Sequence, residues 1–111
     1  MITFSHFLVE DILSGRKTQT RRLGKKRWNV GSIHKVTRDR FNPKAVFGKV
    51  RILDVRQERV GDITEEDARA EGFDDRKTFL RIFQGLNRDR LPSLGWEDEL
   101  VWAITFEAVR E

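Results

Sequence analysis

The residues best suited to chemistry are gathered in one run, Gly15-Arg16-Lys17-Thr18-Gln19-Thr20-Arg21-Arg22. A glycine at its head lets the backbone turn sharply and pass close to a ligand. Arginine suits bidentate contact with phosphate, whereas a buried lysine shifts its pKa readily and can serve as a base. On a strand, residues five apart point to opposite faces, so Lys17 and Arg22 separate unless a bulge or twist intervenes. One then faces a cleft while the other anchors a phosphate or an acid. Plainer roles compete with these: an ion pair between Arg22 and an acid of residues 62–75, and a solvated surface charge for Lys17. Downstream, the loop GKKRWNVG sets Trp28 beside Lys25, Lys26 and Arg27. Trp28 there either stacks on a nucleobase or covers the cleft mouth as a hydrophobic plug.

That run opens a strongly basic third of the chain. Residues 16–51 carry thirteen Lys and Arg against Asp39 alone, a net +12, while residues 1–15 sum to −2 and residues 52–111 to −6. A density of bases this high marks a surface that meets phosphates, since pairing within the fold absorbs only part of it. No amphipathic helix carries these bases, which argues against a membrane surface. The apolar runs are far too short for a membrane span. The N-terminus holds acids where a signal peptide needs bases, so a cytoplasmic protein is expected. With no cysteine, disulfides and thiolate metal sites are excluded. His6 and His34 lack the ligand cluster of a zinc site, so neither metal nor cofactor is expected.

The elements that must position these residues follow from periodicity. At 111 residues the chain suits a single domain, residues 1–111, and a monomer is favoured. Phe4, Leu8 and Ile12 fall on one helical face, with Gly15 as the stop. KTQTRRL reads as a strand with two polar faces, Thr18, Thr20 and Arg22 on one parity and Lys17, Gln19, Arg21 and Leu23 on the other. SIHKVTR and AVFGKVRILDVRQERV read as further strands. Thr64 caps a short acidic helix that ends at Gly72, and Asp74 or Asp75 caps a second, with Phe79, Ile82, Phe83 and Leu86 on one face. The chain closes on a strand with Leu100, Trp102, Ile104, Phe106 and Ala108 on its apolar parity. The expected class is α+β, a small curled sheet or barrel with helices packed outside.

Gly15, Lys17 and Arg22 match G-x-K-x-x-x-x-R, and with them the sequence resembles the ASCH domain family. The block Asp62-Ile63-Thr64-Glu65-Glu66-Asp67-Ala68-Arg69-Ala70-Glu71-Gly72-Phe73 and the closing Val-Trp-Ala-Ile-Thr-Phe strand resemble the family as well. The resemblance implies a small PUA-like β-barrel with helices outside. Within that family it resembles a small bacterial branch of amidohydrolases that deacetylate N4-acetylcytidine. By that likeness the catalytic set is Lys17, Thr20 and Glu71. A threonine hydroxyl needs a neighbouring base to attack an amide carbonyl, a role open to a lysine of depressed pKa. A carboxylic acid then protonates the departing amine or orients the lysine. The partner is RNA or a modified nucleoside, with Gly15, Arg16, Arg21, Arg22, Lys25, Lys26, Arg27 and Trp28 as binding residues. The basic tract and Arg21 depart from that branch and favour a polymeric or phosphorylated substrate. Two other activities fit the same cleft: a non-catalytic RNA-binding module, and a ribonuclease in which Lys17 stabilises a phosphorane.

Overall fold

The spine of the fold is a 14-residue strand whose Val50 and Ile52 point inward while Lys49 and Arg51 point out. The structure, a computed structural model, describes residues 1–110, and Glu111 of the expected domain span lies outside them. Five strands form one sheet: β1 (Ile2–Thr3), β2 (Gln19–Arg22), β3 (Ile33–Thr37), β4 (Val46–Arg59) and β5 (Leu100–Ala108). Their order is β1-β3-β4-β5-β2, with β1 parallel to β3 and every other pair antiparallel. The β4–β5 register shifts between Ile52 and Asp54, an irregularity of the kind that bends a strand. The sheet curls into a half-barrel until its two edge strands meet, and Arg22 Nη2 of β2 donates to the Thr3 carbonyl of β1 at 2.8 Å. An α+β fold with a curled sheet is therefore present.

Three helices flank the sheet: α1 (Val9–Leu13), α2 (Glu65–Ala70) and α3 (Arg76–Leu86). Their starts follow the capping residues in the sequence. Thr64 accepts a hydrogen bond from the Asp67 amide at 3.0 Å, and Asp75 accepts one from the Thr78 amide at 2.7 Å. Two cores form, one inside the curl around Ile2, Phe4, Ile12, Ile52 and Phe106, the other beneath α3 around Val60, Ile63, Phe79, Phe83 and Val101. Phe73 packs against both.

Three expectations need correction. Phe4 precedes the first helical turn instead of lying on it: its amide donates to the Thr37 carbonyl at 2.9 Å, extending the β1 pairing. Leu8 and Ile12 are buried as the helical face requires. Leu86 of α3 is 66% exposed, because the helix ends there. In β5 the single apolar parity does not hold. Val101 and Ala103 are buried as well as Ile104 and Phe106, since the strand runs between two cores and has both faces covered.

Candidate functional site

The approach to β2 is set by backbone hydrogen bonds. Gly15 takes φ of +82°, a left-handed conformation open to glycine, and turns the chain out of α1. The Lys17 amide then donates to the Asp11 carbonyl and the Thr18 amide to the Ala70 carbonyl, both at 2.8 Å. The Thr18 carbonyl accepts from the Phe106 amide at 2.9 Å. Regular pairing starts only at Gln19, so strand parity does not govern Lys17. Lys17, Thr20 and Glu71 are all buried and all line one cavity of about 610 Å³. Its walls come from β1 and β2, the loop carrying Arg27 and Trp28, and the Phe79–Ile82–Phe83–Leu86 side of α3.

The polar floor is a chain of ionic contacts. Lys17 is 2% exposed, and its Nζ donates to the Gln19 carbonyl at 2.6 Å, the Glu71 carbonyl at 2.8 Å and Glu71 Oε1 at 3.0 Å. An ammonium has three protons, so this one is fully engaged. Burial lowers the Lys17 pKa, the attraction and hydrogen bond of Glu71 oppose the shift, and Arg22 and Arg21 add to it. Glu71 Oε2 accepts from Arg21 Nη1 at 3.0 Å. The same guanidinium reaches Glu58 Oε1 at 2.6 Å and Asp67 Oδ2 at 3.1 Å. Its side chain is 0% exposed. Arg21 is therefore an internal ion-pair hub, and it lines the same cavity as Lys17, Thr20 and Glu71. It also takes the place foreseen for Arg22, pairing with acids of residues 62–75.

Arg22 lies on the other face of β2. Its Nε donates to Thr20 Oγ1 at 3.1 Å, and its guanidinium carbon sits 5.0 Å from the Phe4 ring centre. The Lys17 ammonium lies 5.7 Å from the same ring. Among the described residues no carboxylate lies within 4.0 Å of Arg22. Burial lowers its pKa, with Glu71 opposing. No hydrogen bond joins Lys17 Nζ to Thr20 Oγ1 among the described residues.

The remaining candidates divide. Arg27 and a half-buried Trp28 line the cavity, and Trp28 also packs on the first core. Lys25 and Lys26 are exposed and do not line it. Gly15 and Arg16 lie instead on a separate depression with Thr18, Arg69 and Asp74, where Arg16 pairs with Asp74 at 3.2 Å and Asp11 at 3.8 Å. Sequence reasoning missed Arg40 and Arg90 in the cavity wall and Glu58, Asp67 and Gln19 around Arg21. For Gln19 and Arg21 the signal was the parity they share with each other. Among the described residues no group of three or more His, Asp or Glu is placed to hold a metal ion, and no helix is long and apolar enough to cross a membrane.

The model of the ASCH domain family matches residues 2–85. No curated protein matches the sequence. Among solved structures, protein EF3133 from Enterococcus faecalis V583 superposes with a TM-score of 0.69 at 20% identity, over 93% of this chain and 70% of that one. An ASCH domain from Lactobacillus crispatus JV V101 gives 0.66 at 23% identity, over 92% and 70%. The ASCH protein from Zymomonas mobilis gives 0.63 at 18% identity, over 98% and 68%. At these identities the likeness is one of fold.

Proposed function

The chain belongs to the ASCH domain family, and from that premise we propose that its cavity binds an N4-acylated cytidine and hydrolyses the exocyclic amide. The observation that carries this reading is the convergence of Lys17, Thr20 and Glu71, all buried, on one cavity of about 610 Å³. That volume lies in the range of small-molecule sites. Phe4, Phe73 and Trp28 offer apolar walls to a base.

In the proposed reaction Lys17 acts as the neutral amine, having lost its proton to solvent, a form favoured by burial, and Glu71 Oε1, 3.0 Å away, orients it. The neutral amine then takes the Thr20 hydroxyl proton as Oγ1 attacks the acyl carbon. Arg22 Nε, already 3.1 Å from Oγ1, stabilises the charge that develops there. The C–N bond breaks, the N4 amine leaves with the proton held by Lys17, and cytidine is released. Water attacks the acyl-threonine with Lys17 again as base, freeing the carboxylic acid and restoring Thr20.

A non-catalytic RNA-binding cleft is the second reading, favoured by the saturation of all three Lys17 donors. Release of cytidine from N4-acetylcytidine, followed chromatographically, separates the two. The unprotonated amine is the active form, so kcat/KM should rise with pH and level off above an inflection lower than the ordinary lysine value of about 10.4. Lys17→Arg should abolish turnover, because guanidinium does not supply a base near neutrality. Thr20→Ser should retain part of the activity and Thr20→Ala very little. No cytidine after hours at micromolar enzyme would overturn the hydrolase and leave the binding cleft.

A further inference from the structure

The turn between β3 and β4 holds a phenylalanine out in solvent. Phe41 is 82% exposed, in a segment that also carries Arg38, Arg40 and Lys44. An exposed apolar residue is ordinary by itself; the surroundings of this one are not. The turn is tied down at every step. The Phe41 amide donates to Asp39 Oδ1 at 2.9 Å, and the Asn42 amide to the Asp39 carbonyl at 3.1 Å. The Asp39 amide donates to Oγ1 of the fully buried Thr37 at 3.1 Å, and Asn42 Oδ1 accepts from the Lys44 amide at 3.0 Å. An aspartate opening a turn and accepting from the amide two residues on is a self-stabilised geometry. The backbone that carries the ring is therefore held in place, which reduces the ordering left to do on binding.

Arg40 connects that ring to the cavity. Its side chain lines the cavity wall, and its guanidinium lies over one face of Phe41 at 4.8 Å from the ring centre. Arg22, Arg27 and Arg90 line the same cavity. None of these four arginines has a carboxylate within 4.0 Å among the described residues. Among the described residues the one acid lining the cavity, Glu71, is already held by Lys17 and Arg21. A neutral nucleoside would leave Arg27, Arg40 and Arg90 without an anionic partner. A strand that carries a phosphate on each side of the bound base would use them.

We propose that Arg40 and Phe41 form a second subsite, on which the nucleotide next to the one in the cavity stacks, so that a single-stranded polynucleotide is bound more tightly than a single nucleoside or nucleotide. The inference rests on the reading that the cavity takes a nucleobase. It does not depend on hydrolysis. Arg40 takes the linking phosphate, and the open face of Phe41 takes the neighbouring base. Aromatic–base stacking is sequence-tolerant, so the subsite selects for a strand without selecting the neighbour's identity.

Binding is measured by fluorescence anisotropy with a labelled, unacylated cytidylate octamer, ribo and deoxyribo, in competition with cytidine monophosphate. The octamer should bind at least about tenfold tighter than the mononucleotide. Phe41→Ala should weaken the octamer roughly 5- to 100-fold, the range expected for one lost base stack. Phe41→Trp should restore it. Leu94→Ala, which removes an equally exposed apolar side chain elsewhere, should leave it unchanged. Equal affinity for octamer and mononucleotide, or an octamer indifferent to Phe41→Ala, would overturn the subsite. Hydrolysis of N4-acetylcytidine without octamer binding would remove the subsite and keep the hydrolase; Phe41-dependent octamer binding without hydrolysis would do the reverse. A ribo-only response would narrow the ligand to RNA, and equal ribo and deoxyribo binding supports the subsite as stated.

Discussion

Arg21 meets three carboxylates with no exposed side-chain surface, and through Glu71 it fixes the ammonium of Lys17. Buried charges are tolerated when every partner is present, and removing one partner leaves the others stranded. Arg21→Met should therefore lower unfolding stability by about 3–5 kcal/mol, read from the midpoint of urea denaturation. Arg21→Lys should recover little of it, because a single ammonium does not span Glu58, Asp67 and Glu71 as a planar fork does. A midpoint unchanged in Arg21→Met would mean that the hub is dispensable. In the proposed reaction the same network would position the Lys17 amine, because Glu71, which contacts it, is held from its far side by Arg21.

At the scale of elements, two glycines turn the chain out of α1 and α2. Gly15 turns the chain out of α1 over open space, so only its φ demands glycine. Gly72 ends α2 at φ of +100°, and a Cβ there would lie 3.4 Å from Asp11 Oδ2 and Leu8 Cδ2 and 3.7 Å from Lys17 Cβ. Gly72→Ala is thus strained by its φ, although its Cβ would meet only ordinary van der Waals contacts, and should cost on the order of 1–3 kcal/mol. Gly85, inside α3 with nothing within 4 Å of an added Cβ, is the contrasting case. Gly85→Ala should raise stability by about 0.5–1 kcal/mol through helix propensity. Thermal unfolding of both variants checks the pair. A stabilised Gly72→Ala would show that the turn after α2 does not need the left-handed conformation of Gly72.

For the whole molecule the telling quantity is how the basic tract is spent. Of its thirteen bases, Arg16, Lys17, Arg21 and Arg51 reach a carboxylate within 4.0 Å among the described residues, and the other nine do not. Lys35 and Lys49 even face each other across β3 and β4, an arrangement that costs stability in the free protein. Internal pairing thus leaves most of the positive charge available to an anionic partner. The affinity for single-stranded RNA should fall as a power of salt concentration, by about 0.7 in slope per phosphate contacted. Replacing Lys25, Lys26 and Arg27 with Ala should flatten that slope by up to about 2. Titrations at several salt concentrations measure it, and an unaltered slope would place the strand away from this loop.

Much of this was legible in the residues themselves. Thr64 and the pair Asp74 and Asp75 announce the starts of α2 and α3, the apolar content of AVFGKVRILDVRQERV announces β4, and the run from Gly15 to Arg22 holds Lys17 and Thr20 of the candidate site. These signals are local: a cap or an alternation is decided within a few residues by backbone hydrogen bonding and side-chain direction. Strand parity, taken alone, separates Lys17 from Thr20. What brings them into one cavity is the Thr18 amide on the Ala70 carbonyl and Lys17 on Glu71, contacts between residues more than fifty apart. Arg21 has the same character, because its carboxylates at Glu58, Asp67 and Glu71 converge only after the sheet has curled. Residue types and spacing determined which groups were available. Only the tertiary structure decided which of them are dry, paired and facing one another, since burial and ionic partnership depend on segments that local pattern does not connect.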